Sequence, residues 1–130
     1  VKRAIHTERA PAAIGPYSQA VVDEAGGWVF CSGQIGIDPA SGEMASGGVE
    51  AEFRQILANV REVLAAASCT LDQVLKTTVY LADMGDFAAV NAIYAEAFRE
   101  PFPARAAIQA AALPKNARVE MEVVARRPPG

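Results

Sequence analysis

The sequence predicts an α+β fold: a two-layer mixed sheet with two helices on one face. Three observations predict it. Apolar residues recur at spacings of three and four in two stretches, marking two helices. Stretches of β-forming residues flank and separate them in the order strand-strand-helix-strand-helix-strand-strand. The chain has 130 residues, 52% of them hydrophobic, enough for one core, so residues 1–130 are read as a single domain.

The elements follow in order. Ala10–Val22, "APAAIGPYSQAVV", opens as a Pro/Gly-punctuated loop and becomes a strand near Tyr17. Gly26-Gly27 reads as a hairpin turn between strands at Ser18–Asp23 and Trp28–Ser32. Ile37–Gly48 is a loop dense in Pro, Gly and Ser. Val49–Ala67 is the clearest helix, with Phe53, Ile56, Leu57, Val60, Val63 and Leu64 as its stripe and Ser68 and Thr70 as breakers. "DQVLKTTVYLAD" is a strand with Leu75, Thr77, Val79 and Leu81 on one face and Val74, Lys76, Thr78 and Tyr80 on the other. "MGDFAAVNAIYAEAF" is the second helix, with Asp86 as N-cap, Phe87, Val90, Tyr94 and Phe98 as stripe and Pro101 as stop. Arg105–Ala112 and Arg118–Ala125 are the last two strands, joined by a turn at Pro114-Lys115-Asn116.

Both helices carry one apolar stripe, so both should cover the same face of the sheet. The other face is left for solvent or another subunit. Val119, Met121 and Val123 alternate with Glu120 and Glu122, which puts the glutamates on the uncovered face. Taking Ile108 as a core residue turns Ala106 and Ala110 inward and places Arg105, Ala107 and Gln109 on the glutamates' face. If the last two strands pair, Arg105 and Glu120 are neighbours.

Composition narrows the function. The formal net charge is −3, which argues against a dedicated nucleic-acid binder, and Arg126-Arg127 is the densest basic cluster. Aromatic residues make up 7% and alanine supplies much of the apolar surface, so close packing or association must supply burial. Cys31 and Cys69 stand far apart in no C-x-x-C pattern; a single disulfide is possible but nothing demands one, so both read as free thiols in a reducing compartment, and Cys31, between Phe30 and Ser32 in a strand, as a small buried one. The opening "VKRAIHTERAP" lacks the apolar stretch of a secretion signal, and no apolar run reaches the roughly 18 residues of a membrane span. A soluble cytoplasmic protein is expected, without nucleic acid or membrane as partner.

His6 is the only histidine, so one chain builds neither a His-based triad nor a multi-histidine metal site. There is no phosphate-binding glycine loop. What remains is arginine, a two-pronged donor suited to a carboxylate, and glutamate, which can direct or deprotonate water. A plain ion pair between Arg105 and Glu120 or Glu122 at a subunit boundary is the competing reading.

Four stretches together resemble the RidA/YjgF reactive-intermediate deaminases, also called the endoribonuclease L-PSP family. They are "APAAIGPYSQA" (Ala10–Ala20), "CSGQIGIDPASGE" (Cys31–Glu43), "VLKTTVYLADMGDFAAVNAIYAEAF" (Val74–Phe98) and "PFPARAAIQAAALPKNARVEMEVVA" (Pro101–Ala125). The resemblance implies a chorismate-mutase-like subunit, a homotrimer with active sites between subunits, and no metal or organic cofactor. It implies hydrolysis of 2-enamine and 2-imine acids, such as 2-aminoacrylate and 2-iminobutanoate, to 2-keto acids and ammonia. By position, Arg105 matches the carboxylate-binding arginine and Glu120 the residue acting on water. Tyr17 matches the cleft tyrosine, Ser32 and Gly33 the ligand-contacting loop, and Asn91 an asparagine near the site. Ala107 stands where many members have cysteine; the contact there is attributed largely to the main chain, so activity is expected to survive. The alternatives are a non-catalytic, carboxylate-binding or chaperone-like trimer and an endoribonuclease.

Overall fold

The stripe of the first helix lies against the middle of the sheet. A computed structural model describes residues 1–129. Helix α1 spans Gly48–Ala66 and buries Phe53, Ile56, Leu57, Val60, Val63 and Leu64, the six apolar positions read from the sequence. Each such side chain contributes about 1.5–3 kcal/mol on burial. The helix is entered through Gly47 and Gly48, whose φ values of 122° and 84° suit residues without a Cβ. It ends in a Schellman arrangement: Ser68 takes a φ of 63°, and the Cys69 N–H donates to the Leu64 carbonyl at 2.8 Å.

The strands are β1 (Lys2–Ile5), β2 (Ala20–Asp23), β3 (Trp28–Cys31), β4 (Val74–Leu81), β5 (Ala104–Gln109) and β6 (Val119–Arg126); helix α2 spans Phe87–Ala97. Their order across the sheet is β1-β2-β3-β6-β4-β5. Only β4 and β5 run parallel, joined through α2, as a parallel pair requires. The C-terminal strand β6 is therefore central, with β3 on one side and β4 on the other. Val29, Val79, Leu81, Val119, Met121 and Val123 point into the core beneath the helices. Both cysteines are free and buried, and burial pushes the Cys31 thiol up to about 12. Among the described residues no helix is long and apolar enough to cross a membrane.

The α+β, two-layer reading and the hairpin hold, but several details differ. Strand β1 was not foreseen. Its sequence KRAI buries only Ile5, so it has no apolar alternation to read. On β4, Val74 is buried and Leu75 is 47% exposed, the reverse of expectation. The register shifts between Val74 and Lys76, and a bulged residue there inverts the alternation. Asp86 does not cap α2 with its side chain; Asp83 caps the preceding short 3₁₀ turn, accepting from the Gly85 N–H at 2.8 Å.

The largest correction concerns β5. It pairs with β4, not with β6. Thr77, Val79 and Leu81 sit opposite Arg105, Ala107 and Gln109, so those three residues share the helix-covered face. Ile108 is outward and 47% exposed. Alanine on both faces leaves this strand's alternation ambiguous, and Ile108 is not the core residue. Arg105 and Glu120 thus lie on opposite faces of the sheet, with β4 between their strands.

Candidate functional site

Glu120 projects from β6 on the uncovered face into a cleft of about 440 Å³. Tyr17, Ser32, Gly33, Gln34 and Lys115 line it from three connections. Those connections are fastened to the sheet. The Gln34 N–H donates to the Met121 carbonyl at 2.9 Å and the Met121 N–H returns a bond to Gln34 at 3.1 Å. This holds the S-G-Q loop beside Glu120. The Ser32 hydroxyl donates to the Ser18 carbonyl at 2.6 Å, joining that loop to the G-P-Y-S-Q segment. Buried Gln19 donates to the Pro11 carbonyl at 2.8 Å and accepts from the Thr7 N–H at 2.7 Å, so the preceding loop is tied to the end of β2. The polar residues of these two motifs therefore serve the cleft by shaping its walls.

Gly33 is required for room. A Cβ on it would stand 2.1 Å from the Glu120 Oε2. The carboxylate occupies the space that any other residue would fill. Glu120 is partly buried, and burial first and then the neighbouring Glu122 hold its carboxyl above the usual carboxylate range. Glu122 itself accepts a hydrogen bond from the Tyr80 hydroxyl, which with burial raises the Tyr80 phenol above its ordinary value.

The second group lies on the helix-covered face. The Arg105 Nη1 donates to the Asn91 Oδ1 at 2.7 Å. Its guanidinium carbon lies 4.8 Å from the centre of the Tyr94 ring and 5.2 Å from that of Phe87. A guanidinium over two ring faces keeps its plane fixed and the rest of its fork free. Tyr94 is anchored in turn: its hydroxyl is 2.8 Å from the Thr77 Oγ1, and burial raises its phenol. Ala107 follows Arg105 on the same face, partly buried against the core.

The structure thus assembles Tyr17, Ser32, Gly33 and Glu120 in one place and Asn91, Arg105 and Ala107 in another. Within one chain the two sets do not meet. Sequence reading treated Phe87 and Tyr94 as core alone. Their spacing from Asn91, four before and three after, is the signal that they share its helix face. Tyr80 and Lys115 were not singled out, and nothing in their local pattern marks them; Gln34 was not singled out either, although it closes the S-G-Q motif.

Comparison with known proteins gives a consistent picture. A family model described as Endoribonuclease L-PSP matches residues 7–127. Proteins named 2-iminobutanoate/2-iminopropanoate deaminase from Capra hircus and Homo sapiens are each 55% identical over 130 residues, covering 99% of this chain and 93% of the relative. The structure of RidA from an Antarctic Psychrobacter superposes with a TM-score of 0.90 at 43% identity, covering 95% of this chain and 98% of that one. The E. coli YjgF gene product does so with a TM-score of 0.90 at 43% identity, covering 97% and 99%. With a family match over nearly its whole length, majority identity to relatives and the same fold as RidA and YjgF, the chain belongs to the endoribonuclease L-PSP (RidA/YjgF) family.

Proposed function

We propose that this protein hydrolyses 2-imino acids of the 2-iminobutanoate and 2-iminopropanoate type to 2-keto acids and ammonia. The relatives' printed activity and the two prepared groups, a ring-stacked arginine and a partly buried glutamate, support this reading. The carrying observation is that Arg105 and Glu120 occupy opposite faces of one sheet. An Arg105 group from one chain and a Glu120 cleft from another then form one site, and the exposed sheet face, with Phe30, Tyr80 and Ile108 on it, is the surface for assembly into a homotrimer.

The chemistry needs little machinery. A protonated imine is already electrophilic, so no covalent nucleophile is required. Arg105 holds the substrate carboxylate through the part of its fork that Asn91 does not use. The Glu120 carboxylate takes a proton from water as the water oxygen adds to the imine carbon. It then returns that proton to nitrogen. The C–N bond breaks as the carbonyl forms, the hydroxyl proton passing back to the Glu120 carboxylate and from there to the departing ammonia, which leaves as ammonium. A carboxyl held above its usual range is better suited to both proton transfers than an ordinary one. The main chain at Ala107, beside Arg105 on the edge strand β5, offers the second hold on the substrate, and Tyr17 with the Ser32-Gly33 loop encloses it.

Coupling to a threonine dehydratase, with keto-acid formation followed in a buffer that hydrolyses imines slowly, tests the activity. Acceleration by the wild type is expected, together with its loss in Arg105→Lys, which keeps the charge and loses the fork. Mixing tests the assembly. Arg105→Ala and Glu120→Gln should each retain only a small, measurable residual rate alone, and refolding them together should restore about a quarter of the wild-type sites, because random association unites the two intact halves that often. No recovery on mixing rules out a shared site.

A further inference from the structure

Two carboxylates alternate on the uncovered face of β6, and they are turned in different directions. Glu120 and Glu122 are two residues apart on one face, about 7 Å along the strand. Tyr80 of β4 stands directly across from Glu120 in the ladder. Its hydroxyl bypasses Glu120 and donates diagonally to Glu122, whose own cross-strand partner is Thr78. Glu120 instead extends the other way, with its Oε2 against Gly33. Among the described residues no side-chain donor reaches it.

We propose that Glu122, held by the Tyr80 hydroxyl, is a positioning residue for Glu120: it occupies the donor that would otherwise capture Glu120 and presses the Glu120 carboxylate towards the Gly33 side of the cleft. The inference rests on the role given to Glu120 above. A carboxylate bound by a phenol is a poor base and cannot orient water freely. A tyrosine across the ladder is such a donor, and Glu122 disarms it. The like charge acts in the same sense, by keeping Glu120 away from β4 and favouring its protonated form after it has taken a proton from water.

The other charged groups on this face are few. Lys76 of β4 is opposite Val124, beyond Glu122, and Arg126 at the end of β6 is stacked over the Trp28 ring at 5.2 Å. The outward positions of β3 and β5, among them Phe30, Ala106 and Ile108, carry no titratable group. Lys115 stands at the cleft wall. Within the chain, Glu122 is thus the charge paired with Glu120 through the strand itself.

Three variants test this. Glu122→Gln still accepts from Tyr80 but removes the charge. Its Glu120 carboxyl carbon, followed by NMR without substrate, should titrate at lower pH than in the wild type, and the acid limb of kcat/KM should move in the same direction. Glu122→Ala frees the Tyr80 hydroxyl to turn to Glu120, and kcat should fall about tenfold. Adding Tyr80→Phe to Glu122→Ala removes the captor and should restore most of that loss, whereas a merely structural role for the pair predicts a further decline. An unshifted Glu120 titration in Glu122→Gln, or a double variant no more active than Glu122→Ala, overturns the inference. Full activity in Glu120→Gln would instead overturn the role of Glu120, and the substrate-free titration separates the two failures.

Discussion

Gly33→Ala isolates the part played by Glu120 geometry. The added Cβ would meet the Glu120 Oε2 at 2.1 Å and its Cδ at 3.0 Å. Restoring an ordinary carbon–oxygen contact of about 3.3 Å moves the carboxylate oxygen by about 1.2 Å. A displacement of about 1 Å in a group that must meet a reacting atom costs on the order of 100-fold in rate. The fold is expected to tolerate the change. The displaced atom is the far end of a side chain, Gly33 does not need a left-handed φ, and replacing glycine by alanine stiffens the unfolded chain by about 0.4–1 kcal/mol in favour of folding. So kcat should drop about 100-fold with KM and the urea midpoint close to wild type, measured in the coupled keto-acid assay and by denaturation. On a Glu120→Gln background the same substitution should cost nothing more, because its whole effect passes through that carboxylate. Wild-type kcat in Gly33→Ala, or an equal loss on both backgrounds, would refute this account.

Other consequences are as direct. Asn91→Asp places a carboxylate on the Arg105 guanidinium, where Asn91 now accepts at 2.7 Å; it should compete with substrate and raise KM at least about tenfold, which steady-state kinetics would read. Glu120 ionises above its usual range in the folded state, so the stability it contributes is full below the ordinary glutamate pKa and lost as pH rises through the raised value. Glu120→Gln should therefore melt about 1–3 °C higher than wild type at pH 7 and at the same temperature at pH 4, in paired thermal scans. Buried Glu52 of α1 accepts from the Arg118 N–H at 2.8 Å and from its Nη1 at 2.7 Å. Arg118→Ala leaves that carboxylate short of its cation and should lower stability by about 2–3 kcal/mol in urea titrations.

How far the sequence could be read depended on local contrast between residues. α1 was legible because six apolar residues repeat against charged ones, and β6 because valine and methionine alternate with glutamate. β5 was not, since alanines on both faces carry no contrast, and Ile108 tipped the choice of face the wrong way. The bulge at Leu75 was beyond any strict alternation, because it is a property of the pairing and not of one strand. For the candidate site, motif resemblance named Arg105, Glu120, Asn91 and the two loops. It did not reveal that Arg105 lies on the helix-covered face beside α2, where Phe87 and Tyr94 hold it. That depends on β4 lying between β5 and β6, which only the three-dimensional ladder discloses. The notion of Arg105 and Glu120 as cross-strand neighbours, and with it the ion pair between them in one chain, is set aside for the same reason.

The central place of β6 has a consequence for how the protein is made. Synthesis proceeds from the other end, so β1–β3 and β4–β5 emerge as two separate pieces of sheet. Each presents an unpaired edge, on β3 and on β4, until residues 119–126 leave the ribosome. Such edges invite pairing with other chains. The last strand closes both at once, bridges stretches far apart in sequence, and carries Glu120 into place in the same step. A nascent chain halted before Val119 would hold most of the residues of the core and none of the cleft's acid, so completion of folding and acquisition of the proposed chemistry coincide.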